Sequence, residues 1–324
     1  MKSIINKMAL IVLLLAVIII TSSCTVKTQN ETLIIADQFG LAYAPIEIMK
    51  AKDFLREELD EVGAKEIVVE WKRMGNTTSM REAMVSGDLD IGFVGIPPFL
   101  IGRDKGMDWK IISGISESPS ALITTDKSLN GIEDITENHR IILPQPGSIQ
   151  HILLAMYAEK KLGDAKAFDQ QLVTLAHPDG LVAMSTGDFN QLHFTTPPFL
   201  QKEMEIDNAK LLVDGETCFG EPFTFIVGIC PQRVYDDRVV FEAFERALER
   251  SIVFMTVNPD ETMKILAEAY EYPEEELEKY LSHEQMKFTA EIRGVDTFID
   301  FMTRNGWIEG AMDEAEVLWR PNGQ

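Results

Sequence analysis

From Thr32 onward, short apolar runs alternate with stretches whose apolar residues recur at helical spacing. Residues 32–36 (TLIIA) read as a buried strand. After Pro45, Ile48, Ala51, Leu55, Leu59 and Val62 recur at steps of 3, 4, 4 and 3, one helix face that Gly63 ends. Residues 67–71 are the next strand. Ser79-Met80-Arg81-Glu82 has the order of a capping box and opens a short helix closing at Gly87. Residues 89–95 (LDIGFVG) form a third strand, with Pro97 as the first helical residue after it. Residues 109–115 form a fourth. Strand-helix alternation of this kind implies a parallel sheet with helices on both faces.

The pattern then restarts. A strand is predicted over 140–144 and a helix over 148–162 with Gly163 as its stop. Further strands are predicted over 171–176 and 191–196, with a helical turn over 178–185 between them and a helix starting at Pro197. An internal repeat links the two halves. Residues 83–100 (AMVSGDLDIGFVGIPPFL) and 183–200 (AMSTGDFNQLHFTTPPFL) agree without gaps at 8 of 18 positions. After a connection over 214–221 comes a strand at 223–229, then helices over 233–257, 260–270, 273–283 and 295–306. A late strand followed by helices suggests a return to the first unit. The expected organisation is a first lobe made of 31–116 and 222–324, with a second lobe of 117–221 inserted.

The first residues stand apart. Lys2 and Lys7 precede an unbroken apolar run at 8–20, then Thr21-Ser22-Ser23-Cys24. Basic, apolar, then small residues is the layout of a secretory signal. The run is shorter than the roughly 20 residues a bilayer span needs. Cys24 after small residues resembles the bacterial lipobox, where the cysteine becomes the lipidated N-terminus, although Thr21 stands where Leu is usual. The expectation is a signal peptide over 1–23, a lipid at Cys24 and a polar tether over 24–30.

Removing 1–23 leaves 28 basic against 52 acidic side chains, a balance of −24. Such a surface repels nucleic acid and anionic lipid heads, so nucleic acid is excluded as a partner and membrane attachment falls to the Cys24 lipid. Cys218 and Cys230 remain; an exported chain can pair them or bury them as free thiols. No Cys/His spacing resembles a metal site. There is no nucleophile elbow, phosphate loop or paired-carboxylate motif, so no enzyme, cofactor or metal is expected.

The segments IIADQFGLAYAPIEI, MGNTTSMREAMVSGDLDIGFVGIPPFL, RIILPQPGSIQHILL and GLVAMSTGDFN with TTPPFL together resemble the nitrate/sulfonate/taurine solute-binding proteins of ABC importers. The resemblance implies an α/β chain with the type II periplasmic-binding-protein fold, two doubly wound lobes hinged around a cleft. It implies a small-molecule ligand, permease and ATPase subunits as partners, and a place outside the cytoplasmic membrane. In open parallel sheets ligands sit beyond the carboxyl ends of the strands, and helix N-termini there suit an anion. The residues expected at that place are Gln38 and Tyr43 after the first strand, Asn76 and Thr77 after the second, and Gly95 and Ile96 after the third. The second lobe is expected to add Ser148, Gln150 and His151 at one helix start, and Thr195 and Thr196 opposite Gly95 and Ile96. Glu117 and His177 are further candidates, Glu117 arguing for an amine-bearing ligand if it enters the pocket. Arg73 is expected to be solvated. Hydroxyls at helix starts favour a small organic sulfonate or similar oxyanion. Tyr43 and Phe39 suit a flat, thiamine-precursor-like heterocycle equally well. A periplasmic-binding-like enzyme or a sensor domain is the alternative of another class.

Overall fold

The computed structural model of the chain describes residues 32–187, 190–310 and 312–319. The predicted signal, Cys24 and the tether lie outside the described residues. The first sheet contains β1 (Thr32–Asp37), β2 (Val68–Arg73), β3 (Ile91–Val94), β4 (Lys110–Glu117), β10 (Ile226–Cys230) and β11 (Lys287–Phe288). The second contains β5 (Ala121–Thr124), β6 (Arg140–Leu143), β7 (Leu172–Thr174), β8 (Gln191–Thr195) and β9 (Lys210–Asp214).

The sheets have like topology. In the first the order is β2-β1-β3-β10-β4, extended by β11; in the second it is β7-β6-β8-β5-β9. The first three strands of each run parallel. The fourth, β10 or β5, is antiparallel to both its neighbours. The chain thus crosses to the second sheet between Glu117 and Ala121, and returns between Asp214 and Ile226. The sequence repeat falls on equivalent places, spanning β3 in one sheet and β8 in the other.

Three strands escape the periodicity. β5 is four residues long and buried throughout, so it shows no alternation. β9 is a half-exposed edge strand with Leu211 45% exposed. β11 has two residues. The single helix predicted after Pro45 is two, Ala44–Ala51 and Phe54–Glu61. Asp53 breaks it in the left-handed region at φ 56°. Much of the apolar period survives because Ile48 of the first half and Leu55 and Leu59 of the second turn inward, while Ala51 and Val62 are exposed. Asp237 likewise divides Gln232–Asp236 from Arg238–Val257, and its carboxylate accepts a hydrogen bond from the Val240 amide at 3.2 Å. The helix expected from Pro197 starts at Phe199.

The helix Arg238–Val257 packs on the first sheet's helices Ala44–Ala51 and Phe54–Glu61. Phe93 of β3 stacks on its Phe244 at 6.1 Å, and Arg246 and Arg250 pair with the buried Glu58 at 2.7 and 2.6 Å. Burying a side chain such as Phe or Leu stabilises by roughly 1.5–3 kcal/mol. This seam therefore holds the returning chain to the first lobe. Cys218 beside the second sheet and Cys230 in the first are buried free thiols, and burial pushes Cys230 up to about 12. Among the described residues no helix is long and apolar enough to cross a membrane.

Candidate functional site

The segments that follow β1, β2 and β3 and those that follow β6, β7 and β8 meet around one cavity of about 60 Å³. Four helices of eight residues or more begin at it: Thr77–Ser86, Ile96–Asp104, Ile149–Leu162 and His177–Met184. Each contributes its first residue or the residue just before it to the wall, as Thr77, Gly95, Ser148 and His177. Unpaired amides and the positive end of the peptide dipole gather at such ends. Among the residues lining the cavity there is no Asp, Glu, Lys or Arg. Hydroxyls and amides of Gln38, Tyr43, Thr77, Ser148, Gln150 and Thr196 supply its polarity, and Phe39, Tyr43 and Phe225 supply its rings.

The lobes touch around it. The Thr78 amide and hydroxyl donate to Gln145 Oε1 at 3.2 and 2.9 Å, and the Leu41 amide donates to the Pro197 carbonyl at 3.3 Å. Gly95 faces Ile149 across the gap; a Cβ there would lie 3.0 Å from Ile149 Cβ, so a side chain would push the lobes apart. A cavity of about 60 Å³ has room for a few water molecules. An organic ligand therefore enters only when the lobes part or the lining shifts.

Behind the first-lobe wall sits a charged cluster. Asp37, at the end of β1 and fully buried, accepts from Lys50 Nζ at 2.7 Å and from Arg73 Nε and Nη2 at 3.2 and 3.1 Å. Glu47 joins both cations. Burial pushes the Asp37 carboxyl up, but hydrogen bonds from Arg73 and Glu47 and the Lys50 charge outweigh it and hold it low. Burial and the hydrogen bond with Asp37 push Glu47 up to about 7. With Glu47 protonated, two cations face one carboxylate. Arg73, whose side chain is 31% exposed, lies over the Phe39 ring at 5.8 Å and brings that positive charge to the cleft rim. The expectation of a solvated Arg73 is corrected: Asp37 and Glu47 hold it.

Behind the second-lobe wall a line of polar side chains, all buried but the half-buried His177, runs from Gln150 through His177 and His193 to Glu203. Burial, then the neighbouring His193, pushes His177 well down, and burial pushes His193 down to about 3. Burial pushes Glu203 up to about 9. All three are thus neutral near pH 7.

No family model matches the chain, and no curated protein matches it. Solved structures do. The alkanesulfonate-binding protein SsuA from Xanthomonas axonopodis pv. citri, bound to MOPS, is similar at 18% identity and a TM-score of 0.73, covering 90% of this chain and 98% of that one. A Candida albicans protein described as exhibiting the generic periplasmic binding protein structural fold is similar at 14% identity and a TM-score of 0.69, covering 90% and 97%. The fold is that of the periplasmic binding proteins. The periplasmic nitrate-binding protein NrtA from Synechocystis PCC 6803 shares it at 13% identity and a TM-score of 0.69, covering 87% of this chain and 83% of that one.

Within this binding-protein fold, Gln38, Tyr43, Thr77, Gly95, Ser148, Gln150 and Thr196 line the cavity. His177 lines it too. Four of the expected residues stand outside the lining, each with other work. Asn76 caps the helix that follows, its Oδ1 accepting from the Ser79 amide at 3.0 Å, so Asn76 rather than Ser79 is the cap. Ile96 and Thr195 are buried. His151 accepts from the Gly147 amide at 2.9 Å, reaches Asp169 at 3.1 Å and meets the Trp307 ring edge-on. Glu117 is neutralised by Lys287 and Arg293 at 3.3 and 3.1 Å, beside a separate cavity of about 320 Å³. It makes no case for an amine ligand in the cleft. Asp37, Glu47, Lys50, His193 and Glu203 were not foreseen. A lone carboxylate after a strand and a histidine inside one carry no sequence signal of mutual contact.

Proposed function

We propose that this chain is the ligand-capturing subunit of an ABC importer and closes its lobes on a small organic sulfonate or similar oxyanion. One observation carries the reading: helix N-termini from both lobes converge on a cavity whose lining bears no charged side chain. A cation would lack a carboxylate there, whereas an oxyanion meets amides and hydroxyls. The solved sulfonate- and nitrate-binding proteins of the same fold support it. Phe39, Tyr43 and Phe225 favour a flat heterocycle as the second reading. Ethanesulfonate, taurine, nitrate and a pyrimidine are to be compared by thermal shift. At 100 times its dissociation constant a ligand adds about 2.7 kcal/mol of stability. Gln150→Ala is expected to cut sulfonate affinity about tenfold or more, the loss of a buried ligand hydrogen bond. A response to the pyrimidine alone selects the heterocycle, and silence throughout overturns the binding reading.

The signal-like start and Cys24 support an extracytoplasmic place with a lipid anchor. Cys24→Ser is expected to move the protein from the membrane fraction to the soluble fraction after cell lysis. Retention in the membrane would remove the anchor from the proposal.

A further inference from the structure

The line behind the second-lobe wall has a geometry that admits two polarities. Gln150 Nε2 lies 3.1 Å from His177 Nε2, His177 Nδ1 lies 3.0 Å from His193 Nε2, and His193 Nδ1 lies 2.6 Å from Glu203 Oε1. His193 and Glu203 are fully buried. Packing fixes the rings. His177 stacks on Phe199 at 5.8 Å, and the backbone of Gly180 presses on His193, where a Cβ would come within 2.4 Å of Cε1. A neutral imidazole has one donor and one acceptor, so the state of one end dictates every bond along the line.

We propose that Glu203 is a positioning residue that selects which atom of the Gln150 amide faces the cleft, and thereby fits the cleft to ligand oxygens that accept hydrogen bonds. This rests on reading the cleft as the ligand site. With Glu203 protonated, its O–H donates to His193 Nδ1, His193 Nε2–H donates to His177 Nδ1, and the Gln150 amide turns over so that His177 Nε2–H donates to its Oε1. The Gln150 NH2 group is then left for the ligand. With Glu203 ionised, one proton has gone to water and both histidines carry their proton on Nδ1. Each bond reverses, the Gln150 amide has its nitrogen on His177, the contact the structure shows, and its oxygen faces the ligand. A sulfonate oxygen accepts from the first arrangement and is repelled by the second.

Burial favours the protonated acid. The helix Phe199–Met204 packs against β5, which carries no titratable group, and against the helix His177–Met184, which carries His177 and Asp179. Lys202 of its own helix lies over the Tyr272 ring at 4.2 Å, away from the line.

The test uses the 15N-labelled full chain. Long-range proton–nitrogen spectra are expected to show His177 and His193 as Nε2–H tautomers at pH 7 and as Nδ1–H tautomers at pH 10. Ethanesulfonate is expected to bind the wild type about tenfold more weakly at pH 10, the loss of one buried hydrogen bond. Its affinity for Glu203→Gln is expected to change far less over the same range. Nδ1–H tautomers at pH 7, or a wild-type affinity equal at both pH values, overturn the proposal. Nε2–H tautomers without any ethanesulfonate binding would instead uphold the polarity and reject the sulfonate reading.

Discussion

Asp37→Ala is expected to destabilise the protein by about 3 kcal/mol, the low end of the 3–5 kcal/mol found when one partner of a buried ion pair is removed. Asp37 has no exposure, yet it faces Lys50 and Arg73, whose side chains keep 19% and 31% of theirs. Water reaching those two cations softens the loss, and Glu47 can ionise to replace part of the charge. The effect should reach beyond stability. Asp37 ends β1, and the next two residues, Gln38 and Phe39, line the cavity. Gln38 is held by its bond to the Phe93 carbonyl at 2.9 Å, and Phe39 by Arg73 above its ring. Ligand affinity is therefore expected to fall together with the urea midpoint. Asp37→Asn, which keeps the shape and two hydrogen-bonding atoms, should recover part of the stability but not the field. A loss under 1 kcal/mol for Asp37→Ala would mean the four charges act as solvated surface pairs.

What the chain reveals before folding follows from which forces are local. Period, glycine stops and caps are local, and they mark both α/β units, the helix from Ser148 and the loops after β1, β2, β3 and β6. The repeat adds something less local, because PPFL after β3 and again after β8 marks equivalent sheet positions. The antiparallel strands are another matter. β5 and β10 sit mid-sheet only because the chain crosses between lobes at 118–120 and again before Ile226. The strand at 223–229 is legible by itself, yet no run of residues announces an antiparallel partner that lies far along the chain. The site divides the same way. Residues at helix starts are legible because backbone chemistry places hydroxyls and glycines there. Asn76 and Ser79 exchange roles within one turn, a shift too small for pattern to resolve. The residues that tune the wall, Arg73 and Glu203 above all, act through contacts with segments 36 and 10 positions away.

Glu203 also makes a global prediction about pH. Its carboxyl is raised from 4.5 to about 9 in the folded protein. Between those values the native chain holds a proton that the unfolded chain releases. Stability is therefore greatest below about pH 4.5 for this group and declines as pH rises, by about 1.4 kcal/mol per pH unit where the difference is a full proton. The decline ends near pH 9. Other groups titrate alongside, among them Glu245, raised to about 7 like Glu47, and His177, lowered like His193. Glu47, raised to about 7, pulls the same way from 4.5 to 7. His193, lowered to about 3, pulls the other way, its contribution being lost as pH falls below 6.5. Above pH 7 these four are silent, and the buried thiols Cys218 and Cys230, pushed up from 9.0, add to the decline only as pH nears 9, so the window from 7 to 8 isolates Glu203. Urea midpoints of the wild type are expected to fall across that window, while those of Glu203→Gln, with nothing to ionise at that position, should stay nearly level. Parallel curves would mean that Glu203 is already charged at neutral pH. The line from Glu203 to Gln150 would then present an acceptor to the cleft, the wrong polarity for a sulfonate and the right one for a heterocycle carrying an N–H.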